Sequence, residues 1–420
     1  MKKISLLIAL VLCMTMAFSA CKKDTDKKPV SGETSVSDKA SDGDKTDESS
    51  AETLGDGETA VTPLATEKPA PDTTYSTEMD SASKVRYTYT TLTDDEKDLY
   101  AKILAGAKNH QTTVSLGKKV PFKTIQKIFG LIYFQEPQLF WLSGSYEVFD
   151  GDADTTALYY VVGADEVKAK QAEIDAKVAK IKETVPKGAT TVDKLKTIHD
   201  FIAKNCDFTK DGTYVQTIYG GLIDGKIQCE GYAKTVAYLC DQFGIENMLM
   251  TGTNDKKASH AWNIIKVDGD WYNFDTTWDD PVGMNDPDYV RYNYFNVTDE
   301  EILNKTHFQD LTYFTPPKCT ATKANYFNNY KLVASSYAEA EKMIKEQIIE
   351  ASKTKTKQVQ IRVSSKAVYD ECKTKLKDKG GIFKVLEDAN GKAKNKLDIS
   401  APTCAFDENI FAIEFNLKYK

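Results

Sequence analysis

Cys229, His260 and Asp275 are the residues whose types and order could carry covalent acyl transfer. In that chemistry a thiolate attacks a carbonyl carbon and an imidazole moves the proton. A carboxylate holds the imidazole in its working tautomer. Histidine is scarce here, four in 420 residues, so each one can be weighed separately. His260 lies in Ser259-His-Ala-Trp-Asn263, and Asp275 opens Asp275-Thr-Thr-Trp-Asp279, 15 residues after the histidine.

Each of the three needs an element to hold it. After Cys229, the residues Tyr232, Ala233, Val236, Ala237, Leu239, Cys240 and Phe243 recur at helical spacing, and Gly244 suits the stop. Cys229 would then sit in the first turn, where the helix dipole favours an anion and backbone N–H groups point at a forming oxyanion. Gly231 permits a close approach there. The competing reading is a small buried cysteine, its common fate. Polar Gln228 and Glu230 leave the two readings level, and the histidine context decides for the nucleophile.

That context reads as a hairpin, because Asp268-Gly269 is a strong two-residue turn signal. Val267 would face Asp270, and counting outward, Trp262 would face Asp275 and His260 would face Thr277. His260 and Asp275 then share a face as diagonal neighbours, their backbones roughly 7–8 Å apart. A slip of one residue would put them on opposite faces.

The remaining candidates read as structural. His199 is at the edge of an apolar helical stripe, and His110 and His307 fall in polar loops with no paired acid or thiol. Asp279, Asp280, Asp286 and Asp288, with Pro281 and Pro287, read as a solvated acidic loop whose spacing fits no calcium site. Trp262 and Trp278 suit a cleft wall or a core equally well. No metal or other cofactor is expected.

The N-terminus reads as an export signal. Lys2 and Lys3 precede an apolar run from Ile4 to Phe18, too short for a comfortable span, and Ser19-Ala20-Cys21 closes it. Small residues before a cysteine resemble a bacterial lipoprotein processing site, which makes residues 1–20 the signal and Cys21 the lipidated end. Residues 21–84 are polar, charged, Gly- and Pro-bearing, and read as a disordered tether with a reach of roughly 45 Å. No other stretch is long and apolar enough to cross a bilayer. The expected location is therefore the extracytoplasmic face of the cell membrane, anchored by lipid.

Composition excludes other classes. A formal charge of -7 argues against a nucleic-acid partner. Of eight cysteines, Cys13 leaves with the signal and Cys21 is lipidated. Setting Cys229 aside leaves Cys206, Cys240, Cys319, Cys372 and Cys404, an odd number with no disulfide framework and no paired zinc spacing. One bridge, such as Cys319 with Cys404, stays open.

Residues 85–315 read as one domain, with a helix-rich part at 85–189 and the chemistry at about 190–285. Thr93 and Glu96 form a capping box before a helix. Further helices are expected over Phe122–Tyr133, Ala164–Glu183 and a stretch ending near Cys206, with strands over Leu139–Phe149 and Ala157–Val162. After Pro316-Pro317, residues 316–420 read as a small α/β domain. It should hold a helix capped by Ser336, a strand Gln358–Val363, a helix Lys366–Leu376 and a strand Phe411–Leu417.

Cys229-Glu-Gly-Tyr-Ala233, Ser259-His-Ala-Trp-Asn263 and Asp275-Thr-Thr-Trp-Asp279, with upstream Tyr219-Gly-Gly-Leu222 and Lys226, resemble the transglutaminase-like superfamily. Its fold belongs with the papain-like cysteine enzymes. The resemblance implies an α+β core, a helix bearing the cysteine packed on an antiparallel sheet bearing the histidine and the acid. It implies Cys229 as nucleophile, His260 as base and acid, Asp275 as orienting residue and Tyr219 as a candidate for polarising the carbonyl. The substrate would be a peptide or protein amide, hydrolysed or passed to an amine. The competing class is a non-catalytic surface scaffold that retains the fold.

Overall fold

The computed structural model describes residues 75–148, 152–280, 289–400 and 402–420. The signal segment, Cys21 and most of the tether lie outside the described residues, as do Pro281, Asp286, Pro287 and Asp288.

The sheet that matters for the site grows from the Asp-Gly turn. Asp268 and Gly269 both take positive φ, 52° and 97°, the conformation that reverses a chain in two residues while matching strand twist. Strand Ser259–Val267 therefore pairs antiparallel with Asp270–Phe274, from Val267 opposite Asp270 to Asn263 opposite Phe274. On the other side it pairs with Asn247–Asn254, whose outer edge takes the short strand His307–Gln309.

Helix Cys229–Gln242 lies on this sheet and is buried along almost its whole length, Cys229 to Cys240. The core between them joins Ile198, Ile202, Leu222, Val236, Leu239, Ile265, Tyr272, Phe274 and Phe295. Asn263 on the strand donates to the Ala233 carbonyl on the helix at 2.9 Å. The fold is α+β, with the papain-like layering that the resemblance implied.

Residues 94–160 build a second layer. Thr93 and Glu96 complete both bonds of the capping box before helix Asp94–Lys108. Helix Phe122–Gln135 packs with it on a three-stranded sheet, ordered Thr113–Pro121, Asp152–Tyr160, Leu142–Val148. The first of these strands is absent from the sequence reading, because exposed Gly117, Lys118 and Lys119 interrupt its alternation at a register shift. Helix Ala164–Glu183 has the expected bounds, and the next runs Thr191–Asn205.

The folded chain begins before Val85, so the last residues assigned to the tether are packed. Met79 and Ser83 are buried. Ser83 donates to Glu136 at 3.1 Å, and Arg86 bridges Glu136 at 3.2 Å and Asp241 at 2.8 Å. Glu136 also accepts from Tyr100 at 2.7 Å, a buried hub the polar composition of 21–84 did not suggest.

The C-terminal part has its own core, including Ile344, Ile348, Ile361, Tyr369, Leu386 and Phe415. Its sheet is mixed: Val333–Ala334 parallel to Gln358–Val363, then Ala412–Asn416 and Thr403–Asp407 antiparallel. Helix Tyr337–Thr354 packs on it. The expected helix Lys366–Leu376 is α-helical only to Cys372 and widens to a π-turn over Lys373–Asp378.

The six described cysteines are all free. Cys319 packs beside Trp262 and Cys404 against the C-terminal core, so the bridge left open between them does not form. Among the described residues, no helix is long and apolar enough to cross a membrane.

Candidate active site

Gly231 fixes how closely the helix carrying Cys229 can lie against the preceding loop. A Cβ at this position would overlap the Val215 carbonyl and press on Ile227. Gln228 precedes the helix with extended backbone and makes no side-chain cap, so the first-turn amides are not occupied by their own cap. Cys229 is 4% exposed.

The His260 ring stands beside Cys229, close enough for the thiol to favour its protonated form, and its Nε2 is 2.6 Å from Asp275 Oδ2. The structure thus brings Cys229, His260 and Asp275 together in chemical order. Burial disfavours a charged imidazole, but the Asp275 carboxylate more than offsets this, and with the Cys229 contact His260 is pushed up to about 10.

Asp275 reaches its position by a route the hairpin alone did not predict. Strand pairing keeps the expected register up to Phe274 and stops there. Thr277 does not continue opposite His260, because Asp275 leaves the sheet and caps the short helix Thr276–Asp279, accepting from the Trp278 amide at 3.3 Å. Capping turns one carboxylate oxygen to the helix and leaves Oδ2 for the imidazole. Burial alone would raise this carboxyl, yet His260 and then His307 hold it well below the usual carboxylate range.

His307 is the residue the sequence reading missed. It is fully buried, and its Nε2 lies 2.9 Å from the same Asp275 Oδ2. Its Nδ1 faces the Thr306 hydroxyl at 2.9 Å. Burial holds its pKa below the ordinary value despite the neighbouring carboxylate. The edge strand that carries it has three residues and pairs across the sheet with Asn254, so no local spacing announces the contact.

Tyr219 does not join the group. Its hydroxyl donates to Glu173 at 2.6 Å, and Lys170 lies 4.4 Å over its ring. This hydroxyl is engaged with helix Ala164–Glu183.

Of the expected solvated acidic loop, the described residue Asp279 is instead part of the core. Asp279 is fully buried, 3.1 Å from His199 Nε2, and accepts from the Tyr294 amide at 3.0 Å. Burial raises its carboxyl, and His199 partly counters this. This pair ties helix Thr191–Asn205 to the segment after Asp275, so His199 is a core histidine with an acid partner. His110 Nε2 donates to the Val162 carbonyl at 3.0 Å, and the ring stacks on Tyr160, away from the site. Trp262 is core, while half-buried Trp278 stands beside His260 at 5.7 Å between ring centres.

His260, Asp275 and His307 offer one ligating atom each within 4.8 Å of one another, a donor set found at transition-metal sites. The 2.6 and 2.9 Å contacts are hydrogen-bond lengths, which require protons on both Nε2 atoms where a metal would displace them. The geometry fits the hydrogen-bonded cluster better. A cavity of about 340 Å³ lies elsewhere, lined by Arg291, Asn293, Asp407 and Glu414 and not by the reacting groups. Arg291 of this lining donates to the Trp278 carbonyl at 3.0 Å.

The three groups fall within a stretch, residues 178–276, that matches the family model of the transglutaminase-like superfamily. This segment is transglutaminase-like. Three solved structures are similar to part of this chain. One is a TGase, at 14% identity and TM-score 0.25, covering 32% of this chain and 43% of that one. A candidate cysteine protease from Cytophaga hutchinsonii is 17% identical with TM-score 0.22, covering 30% and 51%. The periplasmic domain of TgpA from Pseudomonas aeruginosa, bound to ethylmercury, is 11% identical with TM-score 0.21, covering 32% and 63%. The chain thus spans 43–63% of the length of these structures, and at such scores they decide neither fold nor function. No curated protein matches.

Proposed function

We propose that this chain is a cysteine acyl-transfer enzyme of transglutaminase-like type, acting on peptide or protein amides at the cell surface. The observation that carries the reading is His260 held between Cys229 and Asp275, with Nε2 2.6 Å from the carboxylate. The Cys229 sulfur attacks the amide carbon while the amide N–H groups of the uncapped helix start take the oxyanion charge. His260 then gives its proton to the leaving amine, and a thioester forms. Water or a second amine attacks the thioester, His260 takes its proton, and the sulfur leaves as thiolate.

The surface location rests on Lys2, Lys3, the apolar run Ile4 to Phe18 and Ser19-Ala20-Cys21. Lipidation at Cys21 predicts partition into detergent phase, lost in Cys21→Ser. The second reading, a non-catalytic scaffold, is favoured by one observation: Cys229 is only 4% exposed.

Iodoacetamide at mildly acidic pH separates the two. Preferential alkylation of Cys229 that disappears in His260→Ala supports the enzyme. Labelling no faster than an ordinary thiol supports the scaffold. Amine incorporation into a glutamine donor, run beside peptide cleavage, distinguishes transfer from hydrolysis.

A further inference from the structure

Asp275 Oδ2 receives two imidazoles, His260 at 2.6 Å and His307 at 2.9 Å, while Oδ1 receives the Trp278 amide at 3.3 Å. Three donors from three separate elements therefore fix this carboxylate. We propose that His307 is a positioning residue of the reaction centre, its Nε2–H locking the Asp275 rotamer that steers His260 toward Cys229, with Thr306 setting the His307 tautomer. The proposal rests on the enzymatic reading of the same site.

Proton bookkeeping supports the assignment. A carboxylate oxygen only accepts, so His307 Nε2 carries the hydrogen. A neutral His307 then presents a bare Nδ1 2.9 Å from the Thr306 hydroxyl, nearer than the Ile302 carbonyl at 3.3 Å that competes for the same hydrogen, so the hydroxyl donates to the ring. The charged forms are unequal. The groups facing His307 are Asp275, His260, Thr306 and the rings of Trp262, Trp278 and Tyr294, with Asp255 contributing from farther away. The His260 and His307 ring centres are 5.2 Å apart, so two imidazolium ions there would repel in a buried site. The positive charge belongs on His260, and the neutral ring braces the acid.

A purely space-filling His307 would make different predictions from a donor. His307→Phe keeps a ring and removes the N–H; His307→Gln loses the ring and keeps an amide donor. The readout is the rate of Cys229 alkylation by iodoacetamide against pH on the full chain, with thermal unfolding in parallel. A carboxylate free to rotate misplaces His260, so His307→Phe should alkylate Cys229 about 10-fold or more slowly near neutral pH. His307→Gln should recover most of that rate. Thr306→Val, which leaves the ring in place, should show an intermediate loss, because Nε2 can then surrender its hydrogen to Nδ1.

Wild-type rate and pH profile in folded His307→Phe overturn the proposal. So does failure of Gln to do better than Phe when both are folded, or an unchanged rate in Thr306→Val. If wild-type Cys229 itself labels like an ordinary thiol, the enzymatic reading fails first and this role falls with it. That outcome is distinct, because it appears before any His307 variant is compared.

Discussion

The Asn263 side-chain amide donates to the Ala233 carbonyl at 2.9 Å, and this bond ties the strand of His260 to the helix of Cys229. Asn263 lies three residues beyond His260 and Ala233 one helical turn beyond Cys229, so the bond sits beside the reacting pair. Asn263 is 1% exposed, and its partner carbonyl has no solvent to replace it. Asn263→Leu should destabilise the protein by about 0.5–1.5 kcal/mol, the net worth of one hydrogen bond, because the Ala233 carbonyl keeps its partner within the helix. Urea unfolding measures that, and slower Cys229 alkylation in the folded variant would show that the bond also sets the site.

His260 should keep its proton up to about pH 10. Its folded value lies above the ordinary ~6.5, so the stabilising contribution is full below ~6.5 and is lost as pH rises through about 10. In Asp275→Asn the largest favourable partner is gone and burial dominates, so the ring should titrate below ~6.5. The imidazole Cε1–H shift followed by NMR checks both values. An unaltered midpoint in the variant would contradict the assignment of Asp275 as the cause.

Arg86 offers a test of how residues before the cysteine helix support it. Its guanidinium, 8% exposed, joins Glu136 and Asp241 and links the N-terminal segment to the far end of the Cys229 helix. Arg86→Ala strands the buried Glu136 carboxylate, and removal of one partner of a buried pair typically costs about 3–5 kcal/mol. Chemical denaturation should show a loss of that size, and Glu136→Gln in the same background should recover part of it.

Glu414 predicts a pH dependence in the opposite part of the chain. Burial, with the Asp279 charge adding to it, pushes its carboxyl up to about 8. The folded state then holds a proton that the unfolded chain releases above ~4.3, so stability is highest at low pH and falls as pH rises through about 8. Glu414→Gln should flatten this decline, a difference of at most a few kcal/mol, read from unfolding midpoints between pH 5 and 8. The same slope in both proteins would show that Glu414 is not its source.

Much of this site was legible in the sequence because its parts are local. A helix start, a two-residue turn and strand alternation depend on neighbours a few residues apart, so the Cys229 helix and the register from Val267 to Asn263 could be read directly. The departure at Asp275 was not readable, since whether an aspartate continues a strand or caps a helix depends on what receives its carboxylate. Polar runs misled in the same way. Ser83, Arg86, Asp279 and His307 look solvated by composition, yet each is buried, because each meets an opposite partner from a distant segment.

The chain by itself determined which groups could react and the elements that present them: a thiol at a helix start, an imidazole and an acid on one hairpin. Only the tertiary structure decided that Tyr219 turns to Glu173, that His199 grips Asp279, and that His307 arrives from an edge strand to share the Asp275 oxygen. The reason is range. Backbone periodicity is written residue by residue, whereas the partner of a buried charge is chosen by whichever distant side chain packing brings within hydrogen-bond reach.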